Sequence, residues 1–200
     1  MNSPAFITTE KHMRNSFRLL SSLALFISFL SASVSAQIII GKPKPKPPLD
    51  NPYTVNLPRA EVSKQLQEAL QTCKIEMDTV ATKIETGTFI TKPYIFTRGL
   101  NTRTDLEYVS NLPTEDSRNW IKGRYYLEIL ALPLDDKRSQ IQIVSHLQAQ
   151  MADGITTKWV DLPSNGKVED EALRGLASKL LGIDLSAKGN GRHRLMGCEY

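Results

Sequence analysis

Between residues 124 and 151 apolar and polar positions alternate almost without interruption. Tyr125, Leu127, Ile129 and Ala131 share one side of a first run, Arg124 to Leu132. Ile141, Ile143, Ser145, Leu147, Ala149 and Met151 share one side of a second run, Ser139 to Met151, with Gln142, His146, Gln148 and Gln150 on the other. A period of two is the pattern of an antiparallel strand with one buried and one wet face. Asp135-Asp136-Lys137-Arg138 supplies the turn between the runs. After the turn residues Asp153-Gly154, Lys158 to Leu162 predicts a short further strand. Upstream, Gly87 to Phe96 is rich in β-formers, but Pro93 has no N–H to give and belongs at an edge, an end or a bulge. Ile75 and Met77 alternate with Lys74, Glu76 and Asp78 and predict one more short strand.

Two segments carry the helical period instead. From Pro58 to Thr72, followed by Cys73, the residues Val62, Leu66, Ala69, Leu70 and Cys73 form one apolar stripe, opposite Glu61, Lys64, Gln67 and Glu68. Pro58 suits a first helical position. From Val168 to Leu181 the stripe is Ala172, Leu173, Leu176, Ala177, Leu180 and Leu181. Glu169, Asp170 and Glu171 favour the start of this helix, and Gly182 favours its end. The polar stretch from Arg98 to Asn119 reads as a long loop with one helical turn near Asp105 to Val109. The expected architecture is α+β in two layers. An antiparallel sheet of about four to five strands is packed on its apolar face by an N-terminal and a C-terminal helix. No repeat of fixed period is present.

The flanks differ in kind. Arg14 and Arg18 precede the apolar run Leu19 to Leu30, and Val34-Ser35-Ala36 ends it in small residues. These are the three parts of a bacterial secretory signal, predicting cleavage between Ala36 and Gln37, with Met13 as the expected true start. Leu19 to Ile40 is uncharged and long enough to span a bilayer, so a retained inner-membrane anchor facing the periplasm is the alternative. Residues 37–52 form a linker in which Lys42-Pro43-Lys44-Pro45-Lys46-Pro47-Pro48 favours an extended, semi-rigid polyproline II spacer. The folded domain is expected over 53–184 and a flexible tail over 185–200.

Charge adds one exclusion. The chain holds 25 basic and 21 acidic residues, but Lys42, Lys44, Lys46, Lys188, Arg192 and Arg194 lie in the flanks. Without leader and flanks, acidic residues outnumber basic ones, which argues against a nucleic-acid groove. An anionic envelope surface remains open as a contact for the tails.

Candidate chemistry is sparse. Of three histidines, His12 precedes the signal, His193 lies in the tail, and His146 stands alone among Gln neighbours on a strand. Cys73 and Cys198 lack metal-ligand spacing. In an oxidising compartment they predict one disulfide, pinning the tail to the first helix; a buried free Cys73 with a reactive Cys198 is the alternative. Phosphate-cradling and nucleophile-elbow patterns are absent. Asp135-Asp136 and Glu169-Asp170-Glu171 are read as a turn and a helix start. Trp120 and Trp159 are expected either to pack in the core or to flank a concave face with Tyr126 and His146 on the wet side of the sheet. No metal, cofactor or catalytic set is expected.

Trp120-x-x-Gly123-Arg124-Tyr125, two alternating strands, Trp159, and Ser164-Asn165-Gly166-x-Val168-Glu169 leading into a helix together resemble a group of uncharacterised bacterial exported proteins. The layout over residues 55–184 is also similar to the helix-grip-like domains of outer-membrane accessory lipoproteins, such as the C component of the β-barrel assembly machinery. It departs from them in lacking a lipidation cysteine at the cleavage site and in having one domain. The resemblance implies a periplasmic or secreted, non-enzymatic binding or assembly module with an envelope protein as partner. The alternative is a carrier of a small apolar ligand between helices and sheet, separated from the first reading by a cavity of about 300 Å³ or more.

Overall fold

The computed structural model describes residues 46–113 and 115–185, all within the compact unit Pro43–Tyr200. The signal expected over 1–36, most of the linker and the tail residues 186–200, including His193 and Cys198, lie outside the described residues. Among the described residues no helix is long and apolar enough to cross a membrane.

The chain is α+β, with one antiparallel sheet of six strands, one more than the upper expectation, and three helices. The long hairpin β4 (Asn119–Pro133) and β5 (Ser139–Asp153) forms its centre. Its register pairs Tyr125 with Leu147, Leu127 with Ser145 and Ile129 with Ile143, so the apolar alternations of both strands fall on one face. The Asp135 carboxylate closes the hairpin by accepting the Lys137 and Arg138 N–H groups at 2.9 and 2.7 Å. That stabilisation of the charged form holds the Asp135 carboxyl below the usual aspartate range.

The outer edges are each built from two short strands. On one side β1 (Tyr53–Val55) and β6 (Thr156–Leu162) both pair with β5, at its beginning and its end. On the other, β2 (Thr88–Ile90) and β3 (Tyr94–Arg98) both pair with β4. Pro93 falls in the break between β2 and β3, the place a residue without a donor permits. Thr91 repairs the ladder there: its N–H donates to the Leu127 carbonyl, and its hydroxyl accepts the Leu127 N–H at 2.9 Å.

Helix α1 (Arg59–Thr72) begins one residue after Pro58, which caps it instead of occupying its first turn. Helix α3 (Lys167–Leu181) ends at Gly182 in the left-handed conformation, as the glycine suggests. Their stripes meet the apolar face of the sheet in a contiguous core centred on Leu66, Leu70, Phe89, Tyr125, Ile129, Ile143 and Leu173. The predicted long loop instead contains a third helix, α2 (Thr102–Val109), which buries Leu106 and Val109 against the same face. The strand predicted around Ile75 and Met77 does not form. Lys74 takes a left-handed turn at φ 55°, and Met77 contributes only one isolated bridge to Thr91.

Gly123 lets α2 come close. A Cβ at this position would lie 2.8 Å from Phe96 Cζ, 2.8 Å from Thr97 Cγ2 and 3.0 Å from Leu106 Cδ2. Among the described residues the opposite face of the sheet has no helix over it and is lined by half-buried side chains.

Candidate functional site

The four residues singled out as contacts divide between the two faces. Tyr126 and His146 are register partners on the open face, stacked with ring centres 4.4 Å apart and planes 9° from parallel. His146 is not alone, because its Nε2 lies 3.3 Å from Glu128 Oε2, a diagonal neighbour on β4. A register pair and its diagonal are the positions at which a sheet brings side chains together. The His146 and Glu128 side chains are 40 % and 34 % exposed, on an open sheet face rather than in a cleft.

Trp159 faces the same side, opposite Gln150 in the ladder. The Arg124 guanidinium lies over its ring at 4.0 Å, held there by an Nε–H donated to Gln148 Oε1 at 2.8 Å. Gln148 in turn donates to Asp161 at 2.8 Å. Arg124, Gln148 and Asp161 are one register row across three strands, so the polar row fixes the cation that covers the aromatic ring.

Trp120 is on the other face, where it takes the core-packing role of the two expected for the tryptophans and so does not flank a surface with Trp159. It is 5 % exposed and packs with Leu106 and Ala149 under α2. The cause is a bulge between Trp120 and Lys122, which lets Trp120 pair with Met151 and Lys122 with Gln150. Simple alternation back from Tyr125 would place Trp120 outside; the extra residue reverses the phase. Arg118 covers its ring at 4.4 Å and grips the Asp116 carboxylate through Nε and a terminal nitrogen. That grip holds the Asp116 carboxyl below its usual range. The Trp120 indole N–H has no acceptor among the described residues.

Between β1 and β6 the edge of β5 is bare for a few residues, and a groove of about 420 Å³ lies over it. Polar side chains blunt this edge. The Asn51 amide imitates a strand: it accepts the Ile143 N–H at 3.0 Å and donates to the Ile143 carbonyl. Glu169 accepts from the Ser145 N–H and hydroxyl at 3.3 and 2.6 Å, and from the Ser164 hydroxyl at 2.7 Å. The acidic cluster of α3 thus divides its work among separate partners. Asp170 accepts the Leu49 N–H at 2.7 Å and pairs with the buried Arg174 at 2.8 Å. Glu171 accepts from Tyr108 Oη at 3.2 Å, and burial raises its carboxyl above the usual glutamate range.

Arg174 is the residue whose role the sequence disguised. It is 4 % exposed and hydrogen-bonds the carbonyls of Pro47 and Leu185, so one guanidinium holds both ends of the folded domain. A basic residue at i+4 from Asp170 reads as an ordinary helix pair; only the path of the flanking chain shows the rest. Cys73 is buried at the end of α1 and is disulfide-bonded. Cys198, the other cysteine of the sequence, lies outside the described residues.

Among the described residues no three His, Cys, Asp or Glu side chains are grouped as a metal site. No family model, no curated protein and no solved structure matches the chain.

Proposed function

We propose that this chain is a non-catalytic binding or assembly module of the bacterial cell envelope, exported by its leader and contacting a partner protein through the open face of its sheet. The observation that carries this reading is the contrast between the two faces. One is filled by three helices and a contiguous core. The other presents Arg124 on Trp159 and Tyr126 on His146, ordered by side-chain contacts and covered by no element among the described residues. Aromatic and arginine side chains held in place before binding are what protein interfaces use as anchors, because little rotamer freedom remains to be lost.

The carrier reading draws on the groove over the β5 edge, whose volume is in the range of ligand sites. Its walls include Asn51, Glu169 and Asp170, polar groups already engaged with the protein, which suits an apolar ligand poorly.

Affinity recovery from envelope extracts after chemical crosslinking tests the proposal. A specific partner is expected with the native chain, reduced at least tenfold by Arg124→Glu with Trp159→Ala. Equal recovery by the double variant, with its fold intact by circular dichroism, would remove the open face from the reading.

A further inference from the structure

One end of the sheet carries apolar side chains that the fold does not use. The β5–β6 hairpin turns through Gly154-Ile155, with Gly154 at φ 63° and Asp153 paired to Thr156. A two-residue turn with glycine first normally has a polar residue second; here the second is Ile155, 105 % exposed. Beyond β3 the chain turns through Gly99-Leu100-Asn101 into α2, held by Thr102 N–H and hydroxyl on the Gly99 carbonyl, and Leu100 is 104 % exposed. β3 ends beside the start of β4, and the β5–β6 turn lies beside the same start, so both tips project from one end of the sheet. Two to three strand spacings separate them, about 10–14 Å.

Cations accompany the Leu100 tip. Arg98 and Lys122 are direct register partners, an arrangement that repels unless an anion lies between or near them. Among the described residues neither has a carboxylate partner. The opposite end of the sheet differs: its β4–β5 turn, Asp135-Asp136-Lys137-Arg138, is balanced in charge, with Arg138 paired to Asp135 at 2.6 Å. Arg98 lies two residues behind Leu100 with Lys122 beside it, and behind Ile155 the Asp153 carboxylate is neutralised by Lys158 at 3.0 Å, so two bare aliphatic tips with unpaired cations at one of them fit a deformable apolar phase under an anionic surface. We propose that this end of the sheet docks on an anionic lipid bilayer, Leu100 and Ile155 entering the acyl boundary while Arg98 and Lys122 meet headgroup phosphates. The inference rests on the envelope-binding reading and names a second contact for it, the sheet end formed by Leu100 and Ile155, which adjoins the open face along the register row Arg98, Lys122, Gln150 and Trp159.

The test is site-resolved hydrogen exchange of the full chain with vesicles of phosphatidylglycerol or of phosphatidylcholine. Slowed exchange at residues 99–101 and 154–156 with the anionic lipid, and none with the neutral one, is expected. Leu100→Ser and Ile155→Ser alter fully exposed side chains and leave folding intact. Each lowers vesicle affinity about tenfold, and Arg98→Gln or Lys122→Gln about fivefold. Unchanged exchange at both tips, equal protection by neutral lipid, or protection confined to other segments would overturn the proposal. In those cases recovery of a protein partner through the open face would still stand or fall separately, since Arg124 and Trp159 are untouched.

Discussion

Replacing Arg174 by Met tests the claim that one buried guanidinium holds both ends of the domain. Arg174 gives Nε to Asp170 at 2.8 Å, one terminal nitrogen to the Leu185 carbonyl at 3.1 Å and the other to the Pro47 carbonyl. Methionine keeps the aliphatic stem that packs in α3 but leaves the Asp170 carboxylate without its cation. Removing one partner of a fully buried pair costs about 3–5 kcal/mol, most of it the uncompensated charge. The Asp170 side chain is 20 % exposed and keeps the Leu49 N–H, so the lower end applies. The expected loss is about 3 kcal/mol, large against the roughly 5–15 kcal/mol of a small domain. Adding Asp170→Asn removes the stranded charge, so the double variant should recover about 1 kcal/mol relative to Arg174→Met alone, a coupling expected of residues in contact. Urea unfolding followed by circular dichroism gives both numbers, and hydrogen exchange at Leu49 reports release of the incoming chain. A loss below about 1 kcal/mol with full additivity would refute the clamp.

Three further outcomes follow from the same structure. Gly123→Ala should destabilise by about 1–3 kcal/mol in thermal or urea unfolding, because its Cβ overlaps Phe96, Thr97 and Leu106 and α2 must move outward. Burial raises the Glu171 carboxyl, so the folded chain binds that proton more tightly than the unfolded chain. This contribution is complete below the unfolded pKa and is lost as pH rises through the raised folded value. Glu171→Gln, whose amide oxygen still accepts from Tyr108, should therefore gain stability relative to the native chain between acidic and neutral pH, read from paired unfolding curves. If Cys73 bonds Cys198, non-reducing mass spectrometry finds one linked peptide and no free thiol, and Cys73→Ser with Cys198→Ser loses about 4–5 kcal/mol by the chain-entropy relation for so long a loop.

The central architecture was legible because its residues carry one periodicity each. The alternation through Tyr125 to Ala131 and Ile141 to Met151 survives in the register almost residue for residue, and the stripes Val62 to Leu70 and Leu173 to Leu181 are the buried faces of α1 and α3. What escaped depends on long-range partners. β1 is three residues long and exists because β5 offers it an edge more than eighty residues away. α2 buries only Thr102, Leu106 and Val109 of its eight residues, too few for a visible stripe, and is fixed by tertiary contacts with Gly123 and Tyr125's strand. Ile75 and Met77 alternate, but their stretch meets the end of β2 through one bridge only, Met77 with Thr91, too short a pairing for a strand. Of the candidate contacts, Tyr126 and His146 were placed by period two on the wet side, while the short run around Trp159 left its face open. Trp120 was not decidable, because a single bulged residue exchanges the faces and leaves no mark in composition.

The open face as a contact surface is best tested by placing a photo-activated crosslinking residue singly at Tyr126, Gln148 and Gln150, and in the helical layer at Lys64, then irradiating living cells. Discrete partner adducts from the three sheet positions, with none from Lys64, are predicted. Adducts from Lys64 alone, or from no position although the chain is exported and folded, would contradict the account.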